Sequence, residues 1–333
     1  NRDREHFEVI CYSGVPSPDR LTERMRPLAD QWRSTIGVSD DALAQQIRAD
    51  SIDVLVDLTL HSADNRMLAF ARKPAPVQIS YLGYPGTTGL AAMDWRLTDP
   101  YLDPPQNDAL YVEKSLRLPR TYWCYLAPDG VPDVGPLRAW RSGLVTYGCL
   151  NNFSKLNDRV LACWARILAS VAGSRLLLHA GEGSHRTRVQ EMFAAHGVSV
   201  ERIEFVGKVP YGEYFAAYGR IDVGLDPFPY TGGTTTCDAL WMGVPVVTLA
   251  GESAVQRGGV SLLTSANLHE WIASDENRYV DLATKAAGDL KAIEKLRGSM
   301  RDRLRASVLT DAATFAADVE EAYRFAWKQW CVP

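Results

Sequence analysis

The stretch DVGLDPFPYTGGTTTCDALWMGVPVVTL, residues 222–249, reads as one complete strand–turn–helix–strand unit. An apolar run ends at Asp226, where Pro227 and Pro229 stop it, and Gly232 and Gly233 then allow a sharp turn with close backbone approach. Thr234, Thr235 and Thr236 open a helix that Gly243 and Pro245 close ahead of the next apolar run. Strands that are apolar throughout suit parallel sheets buried on both faces, and parallel neighbours need a helical crossover of this kind. The unit predicts an α/β fold.

The same alternation extends outward. LVTYGCL (144–150), SRLLLHA (174–180), RIEFV (202–206), IDVGL (221–225) and VPVVTL (244–249) are separated by helical segments such as DRVLACWARILASV, so the second half reads as a doubly wound lobe. The first half repeats the grammar with fewer units: HFEVICYS (6–13), a helix near SDDALAQQIRAD (39–50), IDVLVDLT (52–59) and VQISYLGYP (77–85). Between them, TDPYLDPPQNDALYVEKSLRLPR and APDGVPDVGPLR are rich in Pro and Gly and read as an irregular linker, with a boundary near 130–143. After Ser265 the chain turns mainly helical, and in DAATFAADVEEAYRFAWKQW (311–330) Phe315, Val319, Ala322, Tyr323 and Trp327 recur at helical spacing. The first strand begins within eight residues of Asn1, which leaves little room for an opening βα unit and points to a fragment.

The 333 residues are 46% apolar, 23% charged and 10% aromatic, the profile of a globular chain with room for about two domains. Forty acids against 36 bases give a net charge of -4, so no global basic field exists to hold a nucleic acid or an anionic membrane. Any anionic ligand must be caught locally. No apolar run approaches the roughly 18 residues that cross a bilayer, and NRDREHFEV lacks the core of a secretory signal. The expected setting is cytoplasmic. Six cysteines (Cys11, Cys124, Cys149, Cys163, Cys237, Cys331) show no C-x-x-C pair and read as reduced core residues; six histidines show no ligand spacing, and no metal is expected.

The Gly-Thr turn has the design of an anion cradle, because free amides at a helix N-terminus carry about half a positive charge and three hydroxyls stand beside them. The plainer alternative is a Thr-capped helix after a Gly turn. In open α/β sheets ligands sit outside the carboxyl ends of strands, and a second loop there, Asn151-Asn152-Phe153-Ser154-Lys155, follows LVTYGCL. Lys155 is either a solvated charge or a phosphate clamp; together the two loops point to a nucleotide-diphosphate site. No G-x-x-x-x-G-K-[ST], G-x-G-x-x-G or D-x-D occurs, which argues against P-loop, dinucleotide and metal-dependent sugar-nucleotide sites. Asp238, one turn into the helix, suits a ribose hydroxyl or the helix dipole equally. In the first half, His61 follows one strand and Gly83, Gly86, Thr87, Thr88 and Gly89 follow the next, again at carboxyl ends. His61 reads equally as a satisfied loop histidine.

PAPVQISYLGYPGTTG, NNFSKLN and DPFPYTGGTTTCDALWMGVPVVTLAGES resemble the catalytic region of the O-GlcNAc transferase family, including its bacterial members and the plant SPINDLY branch. The similarity runs from about Phe7 to Trp330. It implies a GT-B fold: an N-terminal Rossmann-like lobe over 1–135, incomplete at its start, a nucleotide-sugar-binding lobe over 136–312, and a final helix over 313–333 packing back toward the first lobe, with a cleft between lobes. It also implies metal-independent, inverting transfer of GlcNAc from UDP-GlcNAc to Ser or Thr of proteins, with no cofactor.

By that resemblance Lys155 neutralises the donor diphosphate, assisted by Asn152 and the turn Gly232, Gly233 and Thr236. Thr234 and Thr235 hold the pyrophosphate, Asp238 the ribose, and Val209 and Tyr211 the base. Gly86, Thr87 and Thr88 fall near sugar and acceptor, Arg257 is supporting, and His61 is the candidate general base. Gly233 replaces a histidine of the animal enzymes, and Tyr211 and Tyr214 replace a lysine and a histidine, so the SPINDLY-like alternative is a GDP-fucose-dependent protein O-fucosyltransferase. A third reading is a non-catalytic nucleotide-sugar-binding module. The family's tetratricopeptide repeats, which recruit protein acceptors, do not occur in this sequence, nor does the opening βα unit with its active-site histidine.

Overall fold

The computed structural model describes residues 1–332. Compactness divides the chain into two units: one formed by Asn1–Pro100, Pro104–Tyr122 and the segment from Ala312 onward, the other by Tyr101–Asp103 and Trp123–Asp311. The division falls at Tyr122, and the Pro-rich stretch 123–137 goes with the second unit.

The first unit runs β1 (Ile10–Ser13), α1 (Arg20–Met25), β2 (Gln31–Ser34), α2 (Asp40–Ala49), β3 (Val54–Asp57), α3 (Met67–Ala71), β4 (Val77–Ser80), β5 (Trp95–Thr98) and β6 (Lys114–Arg117). Strands β1 and β2 pair in parallel, and β3-β4-β5-β6 form a four-stranded parallel sheet in chain order. Alternation of side chains gives this sheet two cores: Leu55 joins Leu43, Ile47, Met67 and Phe70 on one face, whereas Val54 joins Val77, Ile79, Leu97 and Leu116 on the other. The stretch 98–120, expected to be irregular, contains β6, because Leu116 and Leu118 are drawn into that second core.

The second unit runs α4 (Arg138–Ser142), β7 (Thr146–Cys149), α5 (Asp158–Ser170), β8 (Arg175–His179), α6 (Ser184–Ala195), β9 (Ile203–Val206), α7 (Tyr211–Tyr218), β10 (Val223–Leu225), α8 (Thr234–Trp241), β11 (Val246–Leu249), α9 (Gly258–Ser265), β12 (Ile272–Ala273), α10 (Glu276–Gly288) and α11 (Leu290–Arg305). Its six parallel strands lie in the order β12-β11-β10-β7-β8-β9. The chain starts in the middle with β7, builds outward to β9, then crosses back to β10 on the other side of β7. Helix α5 shows why the helices stay on the sheet: Val160, Leu161, Trp164, Ile167 and Leu168 are buried. Each such side chain contributes about 1.5–3 kcal/mol.

The last helix, α12 (Ala312–Cys331), completes the first unit: Ala326 is fully buried against the β4–β6 face, and Phe315, Val319, Ala322, Tyr323 and Trp327 pack around it. No helix among the described residues is long and apolar enough to cross a membrane. Cys149, Cys163 and Cys237 are buried, but Cys124 and Cys331 are exposed, which corrects the expectation that all six cysteines lie in a core. Cys331 ends α12, one helical turn past the last residue, Trp327, that packs on the sheet.

Candidate active site

Strands β7 and β10 are neighbours whose following helices leave in opposite directions along the sheet, and the crevice at such a reversal is where open α/β sheets hold ligands. After β7, the Asn152 side chain caps a single 3-10 turn, Phe153–Lys155, by accepting the Ser154 amide at 3.0 Å. That turn swings Lys155 toward the loop after β10: Nζ donates to the Thr231 carbonyl at 2.8 Å and to Asn151 Oδ1 at 3.3 Å, 4.0 Å above the Tyr230 ring. Asn157 stitches the same two loops together, accepting the Val160 amide to cap α5 and donating to the Phe228 carbonyl at 2.7 Å. Burial pushes the Lys155 ammonium below its ordinary pKa, and Asp226 opposes that shift.

Helix α8 begins at this crevice with Gly233 as its N-cap and no side-chain cap. The Thr236 and Cys237 amides donate to the Gly233 carbonyl, whereas the amides of Gly233, Thr234 and Thr235 have no acceptor among the described residues. Thr235 Oγ donates to Asn151 Oδ1 at 2.8 Å, so Asn151 links the helix start to Lys155; Thr234 is exposed and Thr236 buried. Gly232 is needed for room: a Cβ there would strike the Thr236 hydroxyl and lie 3.0 Å from Asp226 Oδ1. Asp226 itself, buried at the end of β10, accepts the Gly232 amide and the Thr248 hydroxyl, each at 2.7 Å, and burial pushes its carboxyl up to about 6.

One turn into α8, Asp238 sits in a tyrosine cage. Its two oxygens accept Tyr125 OH at 2.7 Å and Tyr214 OH at 2.9 Å; Tyr214 OH contacts Tyr218 OH, which donates to the Thr235 carbonyl. Burial raises the Asp238 carboxyl above its ordinary range, and the two tyrosine bonds counter part of that rise. Val209 is half-buried in the loop before α7, and Tyr211 opens α7 with an exposed ring set edge-on to Phe215 at 5.0 Å. Arg257 donates to the carbonyls of Tyr101 at 2.9 Å and Gly251 at 3.0 Å, a bracing contact between loops.

In the first unit, the buried Asp57 ends β3 and accepts the Thr59 amide and hydroxyl and, at 2.7 Å, the Leu60 amide, which shapes the turn that presents His61. His61 is exposed, with Nε2 3.2 Å from the Thr87 carbonyl, so that nitrogen is the donor. Thr87 and Thr88, after the half-buried Gly86, are held by a buried carboxylate: Glu113 accepts Thr87 Oγ at 2.9 Å, the Thr88 amide at 2.6 Å and the Thr88 hydroxyl.

The structure thus brings Lys155, Gly232, Gly233, Thr234, Thr235, Thr236 and Asp238 into one cluster, with Tyr211 one turn before Tyr214 on α7 and Val209 two residues ahead of that helix. Asn152 is occupied as a cap, and its neighbour Asn151 is the residue bound to Lys155 and Thr235. The sequence reading names the loop that holds Asn151 and the strand end at Asp226 without giving either residue a role, and it passes over Thr231, Tyr125 and Glu113. Of these only Asp226 left a signal, a charged residue closing an otherwise apolar strand. Among the described residues, no group of three or more His, Cys, Asp or Glu side chains is disposed to hold a metal.

Comparison with known proteins gives the family and the fold. The model of glycosyl transferase family 41 matches residues 1–126 and 140–319. A probable UDP-N-acetylglucosamine–peptide N-acetylglucosaminyltransferase SPINDLY of Arabidopsis thaliana is 38% identical over 99% of this chain and 37% of its own length. The protein named SEC in the same plant is 28% identical, over 99% of this chain and 35% of its own. A solved structure of a mutant O-GlcNAc transferase of Thermobaculum terrenum superposes with a TM-score of 0.94 at 40% identity, covering 99% of this chain and 63% of that one. A sucrose-phosphate synthase of Thermosynechococcus elongatus, 14% identical with a TM-score of 0.51 over 98% of this chain and 88% of its own, shares the fold alone. The fold is of the GT-B class. The chain spans little more than a third of the length of the curated relatives it matches. It belongs to glycosyl transferase family 41.

Proposed function

We propose that the chain carries the catalytic part of a protein O-glycosyltransferase that moves GlcNAc from UDP-GlcNAc to Ser and Thr hydroxyls, with inversion and without a metal. The observation that carries this reading is the row of open amides at Gly233, Thr234 and Thr235 beside the partly buried ammonium of Lys155. Two of the three Lys155 hydrogens are engaged, and the third is available to a diphosphate oxygen. Asp238 would take a ribose hydroxyl and Val209 and Tyr211 the base.

In the reaction the acceptor oxygen bonds to the anomeric carbon as the bond from that carbon to the diphosphate oxygen breaks. Negative charge grows on the leaving diphosphate, where the amides and Lys155 stabilise it more strongly than in the ground state. The acceptor proton goes to a base, for which His61 is the candidate: with Nε2 donating to Thr87, a neutral ring leaves Nδ1 to accept. Gly86, Thr87 and Thr88 form the loop assigned to the sugar and acceptor. Protein acceptors, brought by tetratricopeptide repeats outside this chain, and a cytoplasmic setting complete the proposal.

A GDP-fucose donor is the second reading, favoured by Gly233, which stands where the animal enzymes carry a histidine, and by Tyr211 and Tyr214 in place of a lysine and a histidine. Calorimetry with UDP and with GDP, in the absence of added metal, separates the two. UDP binding that Lys155→Ala abolishes, followed by GlcNAc transfer to a Ser/Thr peptide, supports the first reading; a GDP preference supports the second. Nucleotide binding with no transfer from either donor leaves a non-catalytic binding module.

A further inference from the structure

No step of the proposed transfer uses Asp226, yet it is a buried charge of the donor lobe, 1% exposed at the carboxyl end of β10. It is walled by glycines on both sides: a Cβ on Gly232 would lie 3.0 Å from Oδ1, and one on Gly259 2.6 Å from Oδ2. Backbone closes in where side chains would not fit, and the carboxylate spends both oxygens, one on the Gly232 amide and one on the Thr248 hydroxyl of the next strand. The titratable groups facing it are Lys155 from the loop after β7, Cys149 from β7 itself and Tyr279 from α10, whose hydroxyl donates to the Asp226 carbonyl at 3.0 Å. Lys155 is the cation of that set.

We propose that Asp226 is a positioning residue of the donor site: its carboxylate clamps the Gly232 amide so that the next three amides stay turned toward the ligand, and it supplies a buried counter-charge on the side of Lys155. The inference rests on the donor-site reading. A buried carboxylate is costly unless hydrogen-bonded and paired, so its retention at this point calls for a role. Burial drives Lys155 toward its neutral form, in which it attracts no phosphate, and Asp226 works against that.

The test is calorimetry on the full chain with UDP, or with GDP if that is preferred, at a series of pH values from neutrality upward through the alkaline loss of binding. It compares wild type, Lys155→Ala, Asp226→Asn and Asp226→Ala. Asparagine keeps the shape and still accepts the Gly232 amide but removes the charge. Asp226→Asn is therefore expected to bind within a few-fold of wild type near neutrality and to lose affinity on the alkaline side at a lower pH than wild type does. Asp226→Ala frees the amide and is expected to bind about tenfold or more weakly throughout. An Asp226→Asn profile that superposes on wild type, or an Asp226→Ala protein that binds as tightly as wild type, overturns the inference. If the alanine protein does not fold, the alkaline limb of the asparagine protein decides alone. Binding that Lys155→Ala abolishes and the Asp226 variants leave untouched refutes only the role of Asp226, whereas a wild type that binds neither nucleotide refutes the donor site and this role together.

Discussion

The two loop clusters at strand ends are built on opposite hydrogen-bond plans. In the second unit the Gly-Thr turn leaves three backbone amides open, and Lys155 keeps a hydrogen in reserve. In the first unit the Thr87 and Thr88 hydroxyls and the Thr88 amide are all consumed by the buried Glu113. Unspent donors make a receptor for an anion, whereas spent donors make a rigid shelf, here the one whose Thr87 carbonyl orients His61. Both loops read alike as Gly-Thr sequence, and only the identity of the acceptors separates them.

That contrast is open to attack from both sides. Lys155→Ala is expected to lower the transfer rate by on the order of a hundredfold and to weaken nucleotide binding, with little change in melting temperature, measured by steady-state kinetics and calorimetry. Glu113→Ala is expected to do the reverse: it strands two hydroxyls and an amide, costing about 1–3 kcal/mol of stability in denaturant unfolding, while UDP affinity stays at the wild-type level. Loss of nucleotide binding in the Glu113 variant would break the distinction. Thr235→Val removes the hydroxyl that ties Asn151 to the helix start and is expected to weaken nucleotide binding by about 1 kcal/mol, several-fold in Kd.

The smallest effect is a slope. The Asp226 carboxyl is raised in the folded state, from 3.8 to about 6, so the folded protein holds this proton more tightly than the unfolded chain. Its contribution favours folding at low pH and is lost as pH rises from about 4 to about 6. Across that window melting temperature is expected to fall less, or rise more, with increasing pH in Asp226→Asn than in wild type; the opposite difference would contradict the assignment.

The difference between the units also explains what could be read in advance. The strands of the second unit's sheet centre are apolar throughout, and the switch point follows from their order. In the first unit β5 and β6, WRLT and KSLR, hide behind charge: Arg96 is buried because its guanidinium lies 3.5 Å over the Tyr111 ring, and Lys114 rests on Trp95. Asn151 and Asn152 are indistinguishable as letters, since the choice of cap is made by backbone geometry. Asp226 reads as a strand terminator because the groups it faces, Thr248 of β11 and Lys155 of the loop after β7, are distant in sequence. Tyr125 reaches Asp238 from over a hundred positions away, with no spacing to announce it.

Helix α12 has a bearing on how the molecule is made. Residues 123–311 are contiguous and can fold as they leave the ribosome, but the first unit cannot. Its sheet is complete once β6 is synthesised, yet Val77, Ile79, Leu97 and Leu116 stay uncovered until the final helix emerges. Of the two units, the one whose sheet is made first is therefore finished last, and its apolar face stays uncovered during that delay.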